Sequence, residues 1–264
     1  MKRLLVIVSV VFFVVGCSQT TKNESQDDST TIVWIEDKQG PTIQEHQIFP
    51  TVPDSIWNEL GLQDGVPSSI SCFLLQIEGK TILIDAGLGA PFSQLQPKMS
   101  ELNVKPDELD LIYITHLHPD HIGGLLKDDT VVFPHAELYI NRVEVDTWLS
   151  MEGERSMLAK KVLAAYKDHL HCFNAGDTLP GGVQTIAAYG HTPGHTLFQK
   201  DSILVIADLI HGAALQMEHP EFCPFFDMAP VMATETRVRI LQYARENKLT
   251  MYGMHLPNPG NINF

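Results

Sequence analysis

His116-Leu117-His118-Pro119-Asp120-His121 brings four side chains that can bind a metal ion into six consecutive residues. Imidazole nitrogens bind zinc, iron, nickel and copper, and the carboxylate of Asp120 adds an oxygen ligand. His116 and His118 are separated by one residue and can face one ion. Asp120 and His121 follow in a tighter turn and can face a second position. A surface histidine cluster is the alternative, and the surrounding sequence decides between the two.

An apolar segment at residues 109–115 precedes this motif and is typical of a buried strand. Further residues of the types that bind or orient metals also follow apolar strands; they are Asp85, His191, Asp208 and His255. Residues at the ends of strands converge on one edge of a sheet. This shared placement favours a metal site over a surface histidine cluster.

The order of the predicted elements indicates one α/β domain at residues 32–264. Strands and helices are intermixed without an internal repeat or linker, which favours sheets covered by helices. Residues 69–77 and 80–85 are predicted to form two strands joined by a tight turn at Glu78-Gly79. Asp120 is expected near the N-cap of a helix that includes residues 122–126. Further helices are predicted at residues 141–149, 154–169 and 234–247.

The motif and the distant residues together resemble the metallo-β-lactamase superfamily, whose signature is HxHxDH followed by distant His, Asp and His residues. The resemblance covers about residues 69 to 260, and it implies a four-layer αββα sandwich with the site at one edge. It implies a first metal ion held by His116, His118 and His191, and a second held by Asp120, His121 and His255, with Asp208 bridging the two. Asp85 matches the family's aspartate after an early strand. It is expected to orient a histidine ligand through the other ring nitrogen of that histidine.

The same resemblance implies two divalent metal ions as cofactors. Zn²⁺ is the expected metal, and iron or manganese would fit the same ligands. Such a pair would activate a bound water for attack on a carbonyl or phosphoryl centre. Asp120 is the candidate catalytic residue, because it could orient this water or carry a proton afterwards. His195 is expected to be structural, and no role is assigned to His135, His211 or His219.

Asp208 separates this chain from the true β-lactamases of the superfamily, which generally have Cys or Ser near that position. Residues 206–211, Phe226-Asp227 and residues 253–260 resemble the methyl-parathion-hydrolase-like branch, itself similar to quorum-quenching lactonases. This resemblance implies a small-molecule lactone or carboxylic ester as substrate, with phosphotriesters as a side activity. Loops at residues 41–67 and 218–230 are expected to line the substrate pocket.

Several alternatives stay open at this point. A β-lactam or thioester hydrolase would share the same fold. A non-catalytic, lipid-tethered protein that binds a metal or another ligand is the alternative of a different class, and the complete ligand set disfavours it. The net charge of -14 and the lack of blocks of Lys and Arg argue against a nucleic-acid partner. Nothing in these patterns indicates an oligomeric state.

The N-terminus is predicted to be a lipoprotein signal peptide at residues 1–16. Two cations, Lys2 and Arg3, precede an apolar run at residues 4–15. As a helix this run would rise about 18 Å, too little for the roughly 30 Å hydrocarbon core. Val14-Val15-Gly16-Cys17 resembles a bacterial lipobox, which implies cleavage before Cys17 and lipid attachment to it. The protein is therefore expected to be exported and anchored to a bacterial membrane, with residues 17–31 as a flexible polar tether.

The chain has four cysteines, Cys17, Cys72, Cys172 and Cys223. If Cys17 carries lipid, at least one of the other three is unpaired. The sequence has no CxxC pair, which argues against a structural zinc ribbon. No disulfide is assigned.

Overall fold

Two six-stranded sheets lie face to face in the computed structural model, which describes residues 30–264. The expected signal peptide, the lipidation site at Cys17 and most of the expected tether lie outside the described residues. Thr31, which the sequence assigned to the tether, is the first residue of a strand. Within residues 30–264, no helix combines the length and the apolar character needed to cross a membrane.

The elements of the described part follow in chain order. The strands are β1 (Thr31–Glu36), β2 (Thr42–Gln44), β3 (Val66–Ser68), β4 (Ser71–Ile77), β5 (Lys80–Ile84), β6 (Leu111–Ile114), β7 (Leu126–Lys127), β8 (Thr130–Val131), β9 (Glu137–Asn141), β10 (Leu170–Phe173), β11 (Thr178–Leu179), β12 (Val183–Ala187), β13 (Thr196–Lys200), β14 (Ile203–Val205), β15 (Thr250–Tyr252) and β16 (Asn261–Asn263). The α-helices are α1 (Asp54–Glu59), α2 (Leu95–Glu101), α3 (Pro119–Ile122), α4 (Arg142–Ser150), α5 (Met157–Ala165), α6 (Ala213–Gln216) and α7 (Pro230–Glu246). Short 3-10 helices cover His46–Ile48, Pro106–Glu108, Gly123–Leu125, Glu154–Ser156, Pro180–Gly182 and Ala207–Leu209.

The first sheet has the strand order β1-β4-β5-β6-β9-β10, and the second has the order β11-β12-β13-β14-β15-β16. In the first sheet β5, β6 and β9 are parallel, so their carboxyl ends share one edge. In the second sheet β14 and β15 are parallel in the same way. The predicted hairpin of β4 and β5 is confirmed, with Ile77 opposite Lys80. Its turn residues Glu78 and Gly79 both have positive φ, as a two-residue turn of this kind requires.

Three apolar layers hold the four-layer stack together, and the expected αββα sandwich is confirmed. The central layer lies between the sheets, where Phe73, Ile84 and Tyr113 face Phe198 and Val205. The outer face of the first sheet packs on the helices α2, α4 and α5, and the outer face of the second packs on α7. Burial of these faces is the main favourable term that fixes the sheets relative to one another.

The structure also corrects several predicted boundaries. His118, not Asp120, is the N-cap residue of α3, because Pro119 opens the helix with its fixed φ. The helix predicted at residues 154–169 ends at Ala165, and the strand β10 follows it. The long helix predicted to begin at residue 234 begins at Pro230, again with proline in the first turn. The central strand β13 and the edge strands β10, β11 and β16 were not predicted, nor were the short strands β2, β3 and β7.

Candidate metal centre

The HxHxDH motif spans a strand end, a turn and the first turn of a helix. His116 follows β6 after one residue, and His118 has extended backbone angles, φ -72 and ψ 154. Pro119 then starts α3, which carries Asp120 and His121. The change from strand to helix turns the two pairs of side chains toward different positions. All of this lies at the edge where β5 and β6 end.

The first cluster contains His116, His118, His191 and Asp208, all buried. His191 Nε2 lies 3.1 Å from His116 Nε2 and 2.9 Å from His118 Nδ1. His116 Nε2 and His118 Nδ1 are 2.9 Å apart. Asp208 Oδ2 is 3.2 Å from His191 Nε2 and 3.6 Å from His116 Nε2. Three ring nitrogens and one carboxylate oxygen therefore converge on one point.

The second cluster contains Asp120, His121, Asp208 and His255. Asp208 Oδ1 lies 3.0 Å from His121 Nε2, and Asp208 Oδ2 lies 3.2 Å from His255 Nε2. Asp120 Oδ2 is 3.7 Å from His121 Nε2 and 3.5 Å from His255 Nε2. Asp208 is shared by both clusters. The seven side chains that the sequence singled out as ligands thus lie together, with Asp208 between the two groups.

Both clusters fit a divalent metal ion. Nitrogen and carboxylate oxygen donors in these proportions suit zinc and related divalent metals. His121 Nε2 and Asp208 Oδ1 are buried and neither makes a hydrogen bond, although buried polar atoms in native proteins are generally satisfied. A cation between them would satisfy both atoms.

Burial and charge set the protonation of the histidines. Burial lowers the pKa of His118 to about 2, and it holds the pKa of His116 well below the usual range, so both rings offer a lone pair at neutral pH. Burial also opposes charge on His191, but hydrogen bonds to Asp208 and Asp227 raise its pKa to about 9. Burial likewise disfavours charge on Asp208, yet the surrounding histidines keep its pKa well below the usual range. Asp208 is therefore an ionised carboxylate, and nearby positive charge stabilises it.

Asp85, the residue after β5, contacts the ring of His121. Its Oδ2 lies 2.6 Å from His121 Nδ1, and the Thr115 backbone N–H donates to Oδ1 over 2.9 Å. The Thr115 hydroxyl also donates to Oδ2 over 2.7 Å. With Nδ1 facing Asp85, the ring presents Nε2 to the second cluster.

Asp227 contacts Nδ1 of His191 in the same way that Asp85 contacts Nδ1 of His121. No role was predicted for Asp227 from the sequence. Asp227 Oδ1 lies 2.8 Å from His191 Nδ1, and the buried guanidinium of Arg237 donates to Asp227 Oδ2 over 3.3 Å. The two residues are 36 positions apart in the chain. No local pattern could have paired them.

Glu144 in α4 is a second residue that the sequence did not indicate. It is fully buried, and its two oxygens accept four hydrogen bonds. Oε1 accepts from the Leu117 backbone N–H and from Trp148 Nε1, over 3.0 and 2.6 Å. Oε2 accepts from the Thr192 hydroxyl and the Gly194 backbone N–H, each over 2.8 Å. One carboxylate therefore joins the loop of His116 and His118 to the loop of His191.

The remaining histidines divide into two groups. His211 is fully buried, with Nε2 3.1 Å from Asp208 Oδ2 and its ring stacked on that of His255. His195 is buried outside both ligand clusters, and its Nδ1 lies 3.0 Å from the Ala188 carbonyl oxygen. The structural role expected for it stays a prediction. His135 is exposed and His219 is partly exposed. His211 thus belongs to the centre although the sequence left it unassigned.

A cavity of about 530 Å³ opens onto the metal centre. Its apolar lining residues include Ile70, Phe225 and Phe226. The two loops expected to line the pocket do so, through Thr42 and Gln44 in one and Phe225 and Phe226 in the other. The complete lining is Thr42, Gln44, Ile70, His118, Pro119, Asp120, Arg155, Asp208, Phe225, Phe226 and His255.

The chain is similar in sequence to several bacterial proteins. The uncharacterised protein YobT of Bacillus subtilis (strain 168) is 29% identical over 148 residues, 53% of this chain and 61% of that protein. The exodeoxyribonuclease WalJ of Streptococcus pneumoniae is 34% identical over 124 residues, 47% of this chain and 41% of that protein. The chain thus spans less than two thirds of the length of these two relatives. An N-acyl homoserine lactonase of Bacillus thuringiensis is 25% identical over 212 residues, 70% of this chain and 80% of that protein.

Solved structures share the whole architecture. The hydrolase AbOPH of the beta-lactamase superfamily has a TM-score of 0.78 and 28% identity, and the match covers 90% of each chain. AidC, a dizinc quorum-quenching lactonase in complex with a product N-hexanoyl-L-homoserine, has a TM-score of 0.75 and 24% identity. That match covers 89% of this chain and 94% of AidC, and it supports the fold.

The family model for the metallo-beta-lactamase superfamily matches residues 65–255, which contain both clusters and most of the two sheets. The chain therefore belongs to the metallo-beta-lactamase superfamily.

Proposed function

We propose that the protein hydrolyses a lactone or carboxylic ester of a small molecule at a centre of two divalent metal ions. The observation that carries this proposal is the position of Asp208, whose two oxygens lie against His121 on one side and against His191 and His255 on the other. A carboxylate in that position can bridge two ions. The similarity to N-acyl homoserine lactonases supports the same substrate class.

We assign the metal ligands according to the two clusters in which their side chains lie. His116, His118 and His191 would hold one ion, Asp120, His121 and His255 the other, and Asp208 both. Zinc is the proposed metal. Two such ions would polarise the substrate carbonyl oxygen and bring the pKa of a bound water toward neutrality.

Asp120 is the proposed catalytic residue among the chain's own groups. Its side chain is 26% exposed, whereas His121 and Asp208 beside it are almost fully buried. It lines the cavity, so one of its oxygens can reach a group in the cavity while the other faces His121 and His255. This placement lets Asp120 orient the attacking water and then carry a proton to the leaving oxygen.

The cavity favours a small substrate with an apolar part. Ile70, Phe225 and Phe226 line the same cavity as the metal centre and can cover an acyl chain. A nuclease activity, as in the relative WalJ, is disfavoured because the chain has 32 Asp and Glu against 18 Lys and Arg. Thioester, β-lactam and phosphotriester hydrolysis are the competing activities for the same centre.

The test is a substrate panel on the full chain loaded with zinc. We expect an N-acyl homoserine lactone or an aryl ester to be turned over faster than a thioester, a chromogenic cephalosporin or an aryl phosphotriester. A chelator should abolish that activity, and added zinc should restore it. Protein that binds two zinc ions per chain yet opens neither the lactone nor the ester would overturn the proposal.

Replacing Asp85 with asparagine should weaken metal binding at the second cluster about 10- to 100-fold. The amide retains one oxygen, and its N–H₂ cannot accept the hydrogen bonds that Asp85 Oδ2 now receives from His121 and Thr115. Zinc affinity is measured by competition with a chromophoric chelator. Asp107→Asn, an exposed residue with the same change of charge, serves as the control. Equal affinities in the two variants would contradict the role of Asp85.

A further inference from the structure

Arg155 is the one Lys or Arg residue that lines the cavity of the metal centre in the described part of the chain. It lies in the 3-10 helix Glu154–Ser156, ahead of α5. Within residues 30–264 no carboxylate lies within ion-pair distance of its guanidinium. Its polar contact with a side chain is to His118, whose Nε2 lies 3.3 Å from Arg155 Nη2.

The ring of His118 has two different environments. Nδ1 faces His116 and His191 in the first cluster, and Nε2 faces Arg155 in the cavity. A neutral imidazole has one N–H and one lone pair. If His118 used the lone pair of Nδ1 to hold a metal ion in the first cluster, its proton would lie on Nε2. Nε2–H and the guanidinium of Arg155 would then both be donors, and neither could accept from the other.

An acceptor placed beside both groups would satisfy them. Guanidinium is always charged, and its planar set of N–H donors matches the two oxygens of a carboxylate. The two acidic residues of the cavity, Asp120 and Asp208, both belong to the clusters that would hold the metal ions. In a chain of net charge -14, Arg155 is therefore, among the described residues, the one Lys or Arg of the cavity that would attract an anion away from the metal ions themselves.

We propose that Arg155 and His118 Nε2–H form a subsite for a carboxylate, so that the preferred substrate is a lactone or ester that carries a carboxylate away from the scissile bond. This inference rests on the proposed hydrolysis and on a metal ion at His118 Nδ1. The carboxylate lies against Arg155, and the apolar part of the substrate lies against Phe225 and Phe226.

Two aryl esters of equal length test the subsite, one ending in a carboxylate and the other in a carboxamide. The carboxamide offers a carbonyl oxygen without the charge. We expect wild-type kcat/KM to favour the carboxylate at least about tenfold, as a charge-assisted hydrogen bond allows. Arg155→Met should remove the preference by raising KM for the carboxylate, and Arg155→Lys should keep part of it. Arg142→Met removes an exposed cation outside the cavity and should leave the preference unchanged.

A binding measurement separates failure of the subsite from failure of the proposed hydrolysis. Ether analogues of the two esters cannot be cleaved, and calorimetry gives their affinities for the zinc-loaded protein. We expect the carboxylate analogue to bind more tightly than the carboxamide, with the difference in affinity lost in Arg155→Met.

Three other outcomes are distinguishable. A difference in affinity that survives in Arg155→Met would mean that the carboxylate binds the metal ions, and this would overturn the subsite. Equal binding of both analogues by the wild type would also overturn it. Binding as expected without turnover of either ester would retain the subsite and overturn the hydrolysis.

Discussion

Replacing Asp208 with alanine is expected to lower kcat/KM for the lactone or ester by about a thousandfold or more. Loss of metal-assisted polarisation costs several kcal/mol of transition-state stabilisation, and each 1.36 kcal/mol is a factor of about ten in rate. Both clusters lose a ligand at once, because Asp208 is the residue they share. Elemental analysis should therefore find less than one tightly held zinc per chain, where the wild type should hold two.

The asparagine variant separates charge from shape at the same position. Asp208→Asn keeps the size of the side chain and removes the negative charge that the surrounding histidines stabilise. We expect it to lose zinc nearly as completely as Asp208→Ala. Asp146→Ala removes an exposed carboxylate from α4 and should bind zinc and hydrolyse substrate as the wild type does. If Asp208→Ala kept two zinc ions and wild-type turnover, Asp208 would not bridge the centre.

The convergence of the ligands was predictable because it follows from local pattern and sheet geometry. His116 could be placed after a buried strand, and Asp208 and His255 after two others. Parallel pairing then brings the ends of neighbouring strands to one edge, as β5 with β6 and β14 with β15 now do. The register did not need to be known for this, since only the strand direction matters.

The residues that support the ligands were not predictable in this way. Asp227 meets His191 across 36 positions of the chain, and Glu144 meets Gly194 across 50. Such pairs depend on how a distant loop or helix packs at the sheet edge, and one sequence carries no periodic signal for that. Arg155 was missed for the same reason, because its helix covers the cavity only after folding. The signal peptide and the lipid at Cys17 stay predictions.

Glu144→Gln is expected to lower the free energy of unfolding by about 2–6 kcal/mol, because two buried donors lose their acceptor and each costs roughly 1–3 kcal/mol. The amide keeps one carbonyl oxygen and turns an N–H₂ toward two donors. Glu144→Ala leaves all four donors without their partner. Since a domain is stable by only about 5–15 kcal/mol, that variant should be largely unfolded at moderate temperature. Urea unfolding followed by circular dichroism measures both effects, and Glu235→Gln on the exposed face of α7 is the control.

The effect of zinc on the free energy of unfolding shows whether Glu144 positions the metal ligands or only supports the fold. A metal that binds the native state stabilises it by an amount that grows with its affinity. Glu144 holds Leu117, between His116 and His118, and it also holds the loop of His191. If it positions these ligands, saturating zinc should raise the unfolding free energy of Glu144→Gln by less than it raises that of the wild type. A purely structural residue would leave the zinc-dependent increment unchanged, and that result would refute the positioning role even if the variant were less stable.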